Sequence, residues 1–303
     1  MSGMQPIGPL LLVVSTLGRI QALDRLLSTV TRQLEEADEL VVVAQGEIEA
    51  VRELLERYVP QTQATLTLST SERGSSLGRN RGVAARRSAG TDPLIMFPND
   101  TSWFAEGALD AIRRETATAE LAAVSVLAEG EPRFMLPPPG SRLDARSVWS
   151  VIEMGLVIRL SLFEALGGFD EQIGTGSATP WQAGEGTDIL LRAIEERPDL
   201  RNTMVWVNDA NAWVGGVAET AGLSTDERRW KLRAYGRGVG HVYRIHPYPA
   251  WHRWGFVAAG LVIGLRRRSE YKTIDGLYAF TGRLEGVTGK TVGAKRDQRA
   301  VSR

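Results

Sequence analysis

Runs of apolar residues alternate with amphipathic stretches along the first two thirds of the chain. The uninterrupted apolar runs Leu10–Ser15, Leu40–Ala44 and Leu94–Phe97 predict buried strands. Between them, apolar residues recur at helical spacing from Ile20 to about Ala37 and from Ile48 to Tyr58. The alternation predicts an α/β fold in which helices cover both faces of a mostly parallel sheet, with ligands at the carboxyl ends of the strands.

The same alternation continues to residue 207 and then stops. It predicts further strands at Ala64–Leu68, Ala122–Leu127, Gly155–Arg159 and Met204–Val207, and helices near Leu77–Ser88, Glu106–Ala119 and Leu162–Leu166. From about Thr225 onward the pattern is helical, so we place a boundary between Gly216 and Leu223. The chain is therefore predicted to contain an α/β domain over residues 1–218, a helical region over 219–290 and a flexible basic tail over 291–303.

The composition of the chain indicates the cellular compartment and shows that charge is unevenly distributed along the sequence. The 303 residues contain no cysteine, which removes disulfide and thiolate chemistry and fits a reducing compartment. The first residues form no signal peptide, so we expect a cytoplasmic protein. The balanced total charge hides 17 Lys/Arg against four Asp/Glu from Arg228 to Arg303, a net charge of +13 in that segment. Such a basic segment is typical of proteins that bind nucleic acid or an anionic membrane surface.

Aromatic and apolar residues within the basic segment favour the membrane. Trp254–Leu265 carries no charge and is followed by Arg266, Arg267 and Arg268. Twelve residues are too few for a span, which needs about 20, but they suit a helix lying in the interface. We expect a protein peripheral to the inner face of the cell membrane, without a nucleic-acid partner. The alternative is a helical hairpin packed on the catalytic body with its basic residues in solvent.

The segment Gly184-Glu185-Gly186-Thr187-Asp188 carries the strongest candidate chemistry. It places two carboxylates three residues apart where an amphipathic helix begins, with Thr187 predicted to cap the first turn. The flanking glycines allow a ligand to approach the backbone closely. This arrangement suits a catalytic base and its orienting partner.

Other candidate residues follow the ends of the predicted strands. Asp100 comes directly after Leu94–Phe97, either as a ligand-binding acid or as a turn residue that caps the next helix. The Gly/Ser-rich segment at 71–82 carries Arg79 and Arg81 at the start of a helix, which suits an anionic or diphosphate group. The histidines His241, His246 and His252 are spaced five and six residues apart, so we expect interfacial or packing roles rather than a three-histidine metal site. The alternative is that one of them reaches over the cleft as a substitute metal ligand or diphosphate contact.

In their order, these motifs resemble those of the family 2 glycosyltransferases of the GT-A fold, which are inverting and use nucleotide sugars. The resemblance extends from about Leu10 to Trp213 and includes the motifs Ser76-Leu-Gly-Arg79-Asn80-Arg81-Gly82 and Gly167-Gly168-Phe169-Asp170-Glu171. The donor-binding residues that it implies are Ser15, Thr16, Arg19, Gln45, Ser76, Arg79, Asn80, Asn99 and Asp100.

The resemblance also implies a Mg²⁺ or Mn²⁺ ion on the donor diphosphate, with Asp100 as its ligand. The family often has three aspartates at this turn, whereas this chain has Asn99, Asp100 and Thr101. Asn and Thr are poor replacements for anionic ligands. Asn211, Ala212 and Trp213 occupy the region where many family members place a metal-binding histidine. Arg79 and Arg81 are the candidates to replace the missing metal charge.

On the acceptor side, the resemblance leaves Glu185 or Asp188 as the base, and we favour Glu185 because Asp188 can be used at the helix N-terminus. The chain is thus predicted to move a sugar from a nucleotide-diphosphate donor to a hydroxyl of a glycan or lipid-linked acceptor, with inversion. The alternative is a non-catalytic protein of the same fold that binds a nucleotide sugar or glycan, or assists a partner.

Overall fold

The computed structural model describes residues 8–88, 90–217, 222–263 and 271–292. The chain divides into two compact units. The sheet unit contains residues 1–72, 78–168 and 189–218, and the helical unit contains residues 73–77, 169–188 and 219–303. The helical unit thus takes in two short segments of the first 218 residues. The predicted boundary after residue 218 lies outside the described residues.

Within the described residues, nine strands form the core of the sheet unit. They are β1 (Leu10–Thr16), β2 (Glu39–Ala44), β3 (Thr65–Thr70), β4 (Leu94–Met96), β5 (Leu121–Ala128), β6 (Glu131–Pro132), β7 (Leu156–Arg159), β8 (Val205–Val207) and β9 (Trp213–Gly215). Their order is β3-β2-β1-β4-β7-β5-β6, and both β8 and β9 pair with β5. The very short strands β6 and β9 are absent from the sequence-based prediction.

Strands β1 to β4 are parallel, and β7 is antiparallel to both β4 and β5. In β1, Leu12 lies opposite Leu40 of β2 and Met96 of β4. Every residue of β2 is buried, as expected for a strand covered on both faces. The predicted mostly parallel α/β sheet is therefore confirmed, and the carboxyl ends of β1, β2 and β4 lie at one edge.

Seven α-helices accompany the strands in the described part of the chain before residue 217. They are α1 (Ile20–Val30), α2 (Ile48–Tyr58), α3 (Ser75–Ala84), α4 (Ala108–Thr116), α5 (Leu160–Ala165), α6 (Glu185–Glu196) and α7 (Leu200–Thr203). Helix α1 ends at Val30, so the predicted extension to Ala37 is wrong. The following turn depends on Asp38, whose carboxylate accepts hydrogen bonds from the backbone N–H groups of Glu35 and Leu10.

In the sheet unit, α3 packs directly on β1 and β2 because two of its residues are glycines. A Cβ atom at Gly82 would lie 2.2 Å from Cγ1 of Val13. One at Gly78 would lie 2.7 Å from the Cβ atom of Ser15 and 2.7 Å from Nε2 of Gln45. Contacts below 3 Å leave no room for any side chain, so these glycines bring α3 against the carboxyl edge of the sheet.

The helical unit contains α8 (Thr225–Ile245), α9 (Ala250–Ala259) and α10 (Thr273–Thr288). Helices α8 and α10 touch backbone to backbone. A Cβ atom at Gly282 would lie 2.1 Å from the carbonyl oxygen of Arg233, and one at Gly286 would lie 2.3 Å from that of Arg237. Small residues at this contact allow the close approach.

Ion pairs between α8 and α10 account for several of the C-terminal arginines. Asp275 is buried and accepts hydrogen bonds from Arg228 at 3.0 Å and Arg229 at 2.9 Å. Glu285 is paired with Arg233 and Arg237. Burial alone would raise the pKa of Glu285, but the hydrogen bonds from its two arginines reverse the effect, and its pKa lies below the usual range. Part of the basic charge is therefore used inside this unit.

Two C-terminal features of the sequence analysis fall partly or wholly on undescribed residues. Arg266, Arg267 and Arg268 lie outside the described residues, as does the predicted tail beyond Val292. Among the residues that the structure describes, no helix is long and apolar enough to cross a bilayer.

Candidate functional site

Asp100 lies at the carboxyl edge of the sheet, just beyond β4, and both of its oxygens accept hydrogen bonds. Thr16, the last residue of β1, donates its hydroxyl to Oδ2 at 2.7 Å. Arg19 donates Nε to Oδ2 at 3.1 Å and Nη2 to Oδ1 at 2.5 Å. Asp100 is almost fully buried, whereas the side chain of Arg19 is 57% exposed. The structure thus brings together three predicted donor residues and leaves part of the guanidinium in contact with solvent.

Asn99 and Arg79 form a second contact at this edge. Nη2 of Arg79 donates to Oδ1 of Asn99 at 3.1 Å and lies 3.4 Å from Oε1 of Glu153. Arg79 is buried, whereas Arg81 is exposed because it lies two residues further along the same helix. Arg79 and Arg81 therefore differ in exposure, and their role as replacements for the missing metal charge stays a prediction.

Gln45 and Ser15 complete the predicted donor residues of the sheet ends. Gln45 follows β2, and its Nε2 donates to Oγ of Ser71 at 3.0 Å and to the carbonyl of Glu72 at 2.8 Å. Ser15 lies beside Gly78 of α3. The ends of β1, β2 and β4 therefore present polar side chains along one edge, which is where parallel α/β sheets bind ligands.

The residues at Asp100 do not fit a divalent cation. Mg²⁺ and Mn²⁺ prefer several carboxylate or other oxygen ligands, and here a single carboxylate is flanked by Asn99 and Thr101. Its two oxygens already accept hydrogen bonds from Thr16 and Arg19, and the Arg19 guanidinium supplies the positive charge. Within the described residues, no group of three or more His, Asp or Glu side chains is placed to hold a metal ion.

Glu185 lies in the helical unit as the first residue of α6. Its Oε1 accepts a hydrogen bond from Oγ of Ser75 at 3.0 Å, and the residue is buried. Gly174, with a φ of +124°, makes room beside it, since a Cβ there would lie 2.5 Å from Oγ of Ser75 and 3.3 Å from Cδ of Glu185. Glycine at this position lets the 169–184 loop approach the carboxylate.

Helix α6 begins two residues earlier than its predicted cap. Thr187 is the third residue of the helix and not its N-cap, so that prediction is wrong. The left-handed Gly184, with a φ of +106°, precedes the helix, and its carbonyl accepts from the backbone N–H of Asp188 at 2.8 Å. Both predicted acids consequently lie inside the first turn.

Asp188 pairs with a histidine from the end of α8. Nε2 of His246 lies 2.9 Å from Oδ1 of Asp188, and both side chains are buried. Fifty-eight residues separate the two in sequence. Ser75 and His246 are the residues at this turn that the sequence analysis misses, because only the folded chain brings them to the acids.

The other two histidines pack against aromatic rings. His241 stacks on Trp181 with ring centroids 4.3 Å apart, and its Nδ1 accepts from Nη2 of Arg244 at 2.8 Å. Burial and the charge of Arg244 lower the pKa of His241 to about 4, so the ring is neutral near pH 7. His252, on α9, lies against the rings of Tyr243, Tyr248 and Trp251.

The remaining predicted residues make hydrogen bonds or close contacts with nearby backbone. Ser76 is buried and donates its hydroxyl to the carbonyl of Ile173 at 2.5 Å. Asn80 lies beside Gly168, where a Cβ would be 2.8 Å from Oδ1 of Asn80. Arg192 donates to the carbonyls of Leu166 and Gly168 at 2.5 and 2.7 Å and so fastens the glycine turn.

Comparisons with known proteins identify the fold. No protein-family model matches the chain, and no curated protein matches its sequence. Among solved structures, residues 1–349 of S. aureus TarS in complex with UDP-GlcNAc match with a TM-score of 0.56 and 13% identity, over 97% of this chain and 81% of that one. The mannosyltransferase PcManGT from Pyrobaculum calidifontis, in complex with GDP-Man and Mn²⁺, matches with a TM-score of 0.60 and 13% identity, over 93% and 88%. The predicted GT-A fold is therefore confirmed.

Proposed function

We propose that this protein is an inverting glycosyltransferase that moves a sugar from a nucleotide-diphosphate donor to a hydroxyl of a glycan or lipid-linked acceptor. The observation that carries the proposal is a fold match over more than nine tenths of the chain to proteins whose structures hold UDP-GlcNAc and GDP-Man. The order of the sequence motifs, which resembles that of family 2, supports the same activity.

On the donor side, arginines provide the charge that a diphosphate leaving group needs. Negative charge builds on the diphosphate as the glycosidic bond breaks, and fixed positive groups stabilise that state. Arg19 is anchored by Asp100, and more than half of its side chain is exposed. Arg79 provides a second guanidinium, held by Asn99. The proposed reaction therefore needs no step through a metal ion.

On the acceptor side, Glu185 is the proposed base. The acceptor oxygen attacks the anomeric carbon from the face opposite the diphosphate, its proton passes to a Glu185 carboxylate oxygen, and the bond to the diphosphate oxygen breaks. Such attack inverts the anomeric configuration. We favour Glu185 over Asp188 because Asp188 forms a buried pair with a histidine, whereas Oε1 of Glu185 accepts from the neutral hydroxyl of Ser75.

The helical unit also carries an exposed apolar surface, which we assign to an anionic membrane. Its members are Trp251, Trp254, Leu261, Val262, Ile274 and Leu277, all more than 40% exposed. Tryptophan is typical of the interface between lipid and water, and basic residues next to such a surface add attraction to anionic headgroups. Lys272 is exposed beside Ile274, which supplies one such charge. This location suits a lipid-linked acceptor.

The activity is tested by incubating the purified protein with a panel of UDP- and GDP-sugars and hydroxyl acceptors, with EDTA or with Mn²⁺. We expect a glycoside of inverted configuration, detected by mass spectrometry and NMR, and a reaction about 10²- to 10⁴-fold slower with Glu185→Gln. Glu196→Gln, at the exposed far end of the same helix, is the control and should retain full activity. A protein that binds donor but never turns it over would instead be the non-catalytic binder.

The membrane location is tested separately by flotation with neutral or phosphatidylglycerol-containing vesicles. We expect binding to the anionic vesicles and its loss in the double variant Trp251→Ser, Trp254→Ser. The matched control changes Phe134 and Met135 to serine, since both are exposed apolar residues of the sheet unit. Equal flotation of both double variants would refute the assignment.

A further inference from the structure

His246 occupies a defined place at the C-terminal end of α8. Its backbone N–H donates to the carbonyl of Val242 at 3.2 Å. Its own carbonyl accepts from the backbone N–H of Tyr248 at 2.7 Å and from Nη2 of Arg253 at 3.3 Å. These contacts hold the backbone at His246, and its side chain is 5% exposed.

The hydrogen bond between His246 and Asp188 has only one possible direction when Asp188 is ionised. A carboxylate can only accept, so Nε2 of His246 carries the proton and donates it to Oδ1 over 2.9 Å. A buried, charge-assisted hydrogen bond of this kind is stronger than one between neutral groups. It therefore constrains the direction of the Asp188 side chain.

Helix α8 also contacts the residues immediately before α6. A Cβ at Gly238 would lie 2.2 Å from the carbonyl oxygen of Ala183, and one at Gly184 would lie 2.7 Å from Cγ2 of Val242. The backbone of α8 thus lies against residues 183 and 184, from which α6 continues. Packing and the His246 hydrogen bond act on the same turn.

From these contacts we propose that His246 is a positioning residue for the acceptor side. It holds Asp188 and, through the first turn of α6, sets where the Glu185 carboxylate points. The expected effect on catalysis rests on the proposed function. The placement of Asp188 by His246 does not, because it depends only on contacts within the helical unit. It gives the C-terminal helices a role in the chemistry in addition to the membrane contact.

The test compares two substitutions at His246 that differ in one property. His246→Phe keeps a ring of similar shape without a donor, and His246→Gln keeps a donor on a side chain of similar length. A misplaced catalytic group loses about 10- to 100-fold in rate, so we expect this loss in kcat for the Phe variant with little change in KM for the donor. The Gln variant should recover most of the loss, and His252→Gln should match the wild type.

A second measurement is independent of turnover. Hydrogen exchange at the amides of residues 186–189 should be faster in His246→Phe than in the wild type and should return toward the wild-type rate in His246→Gln. Unchanged exchange in the Phe variant would overturn the inference, whether or not the protein is an enzyme. Absence of turnover in the wild type would count against the proposed function alone.

Adding Asp188→Asn distinguishes positioning from an unrelated effect of the substitution. If His246 acts through Asp188, the double variant His246→Phe, Asp188→Asn should lose no more activity than the more impaired single variant. Fully additive losses would show that His246 acts by another route and would overturn the inference.

Discussion

Asp100 of the sheet unit and Asp188 of the helical unit are both buried acids, but they are held by different partners. Asp100 is paired with Arg19, a permanent cation that is largely exposed. Asp188 is paired with His246, a buried side chain whose charge depends on pH. Asp100 thus has a partner of fixed charge, which suits the proposed binding of an anionic donor. On the proposed acceptor side, where a proton has to move, the partner of Asp188 is charged only when it is protonated.

The largest expected effect is a loss of activity when the proposed base on the acceptor side is removed. Glu185→Gln removes the proposed base while keeping a side chain that can accept from Ser75. General base catalysis contributes about 10²- to 10⁴-fold, so kcat should fall by that factor. Donor affinity, measured by calorimetry, should stay near the wild-type value because the donor residues are unchanged. Normal kcat in Glu185→Gln would show that another residue is the base.

Acidification should lower the folding stability of the protein through His241 of the helical unit. The pKa of His241 is lowered to about 4 by burial and by Arg244, whereas the unfolded chain keeps a value near 6.5. The unfolded state therefore binds more protons between these values, so stability is lost as pH falls from about 6.5 to 4. At 1.36 kcal/mol per pKa unit, we expect a loss of about 2–3 kcal/mol by pH 4.5, measured by urea unfolding.

The control for this prediction is His241→Gln, which should remove most of the pH dependence in that window. Asp144 of the sheet unit has a lowered pKa for another reason. Burial tends to raise that pKa, and hydrogen bonds from Ser147 and Arg146 lower it overall. Its stabilising effect is therefore lost only below the ordinary range of an aspartate. An identical profile in His241→Gln would show that other groups cause the loss.

Local patterns predict most closely those elements whose bounds depend only on periodicity and burial. The bounds of α2 match their prediction, and those of β1 and β2 differ by one residue, because periodicity and uninterrupted burial are local properties. The end of α1 and the start of α6 differ more. They depend on the hydrogen bonds of Asp38 and on the left-handed Gly184, which compete with helical periodicity.

The candidate site shows the same division. Thr16 ends β1, and Arg19 and Asp100 follow strand ends, so the topology of a parallel sheet suffices to bring the three together. Ser75 and His246 reach the α6 acids across 110 and 58 residues, and no spacing within the sequence encodes those contacts. The buried pairs of Asp275 and Glu285 with α8 arginines likewise appear in the sequence only as basic charge.

A smaller effect tests the donor side. Arg19→Gln should weaken donor binding about tenfold, since one charged hydrogen bond contributes about 1.5 kcal/mol. Arg52→Gln, which removes an exposed arginine of α2, should leave binding unchanged. Calorimetry with UDP and GDP measures both variants. Equal affinity in Arg19→Gln and the wild type would remove this arginine from the donor site.

The smallest expected effect concerns the metal. Coordination of Mn²⁺ by Asp100 would place a second positive group beside the guanidinium of Arg19, which donates to both carboxylate oxygens. Arg19 already supplies charge there, so replacing EDTA by Mn²⁺ should change donor affinity by less than about twofold, a free-energy difference below about 0.5 kcal/mol. Tightening by an order of magnitude, abolished in Asp100→Asn, would show that Asp100 exchanges Arg19 for a cation when donor binds. The partner of Asp100 would then be exchangeable and not fixed, which would weaken the contrast with Asp188.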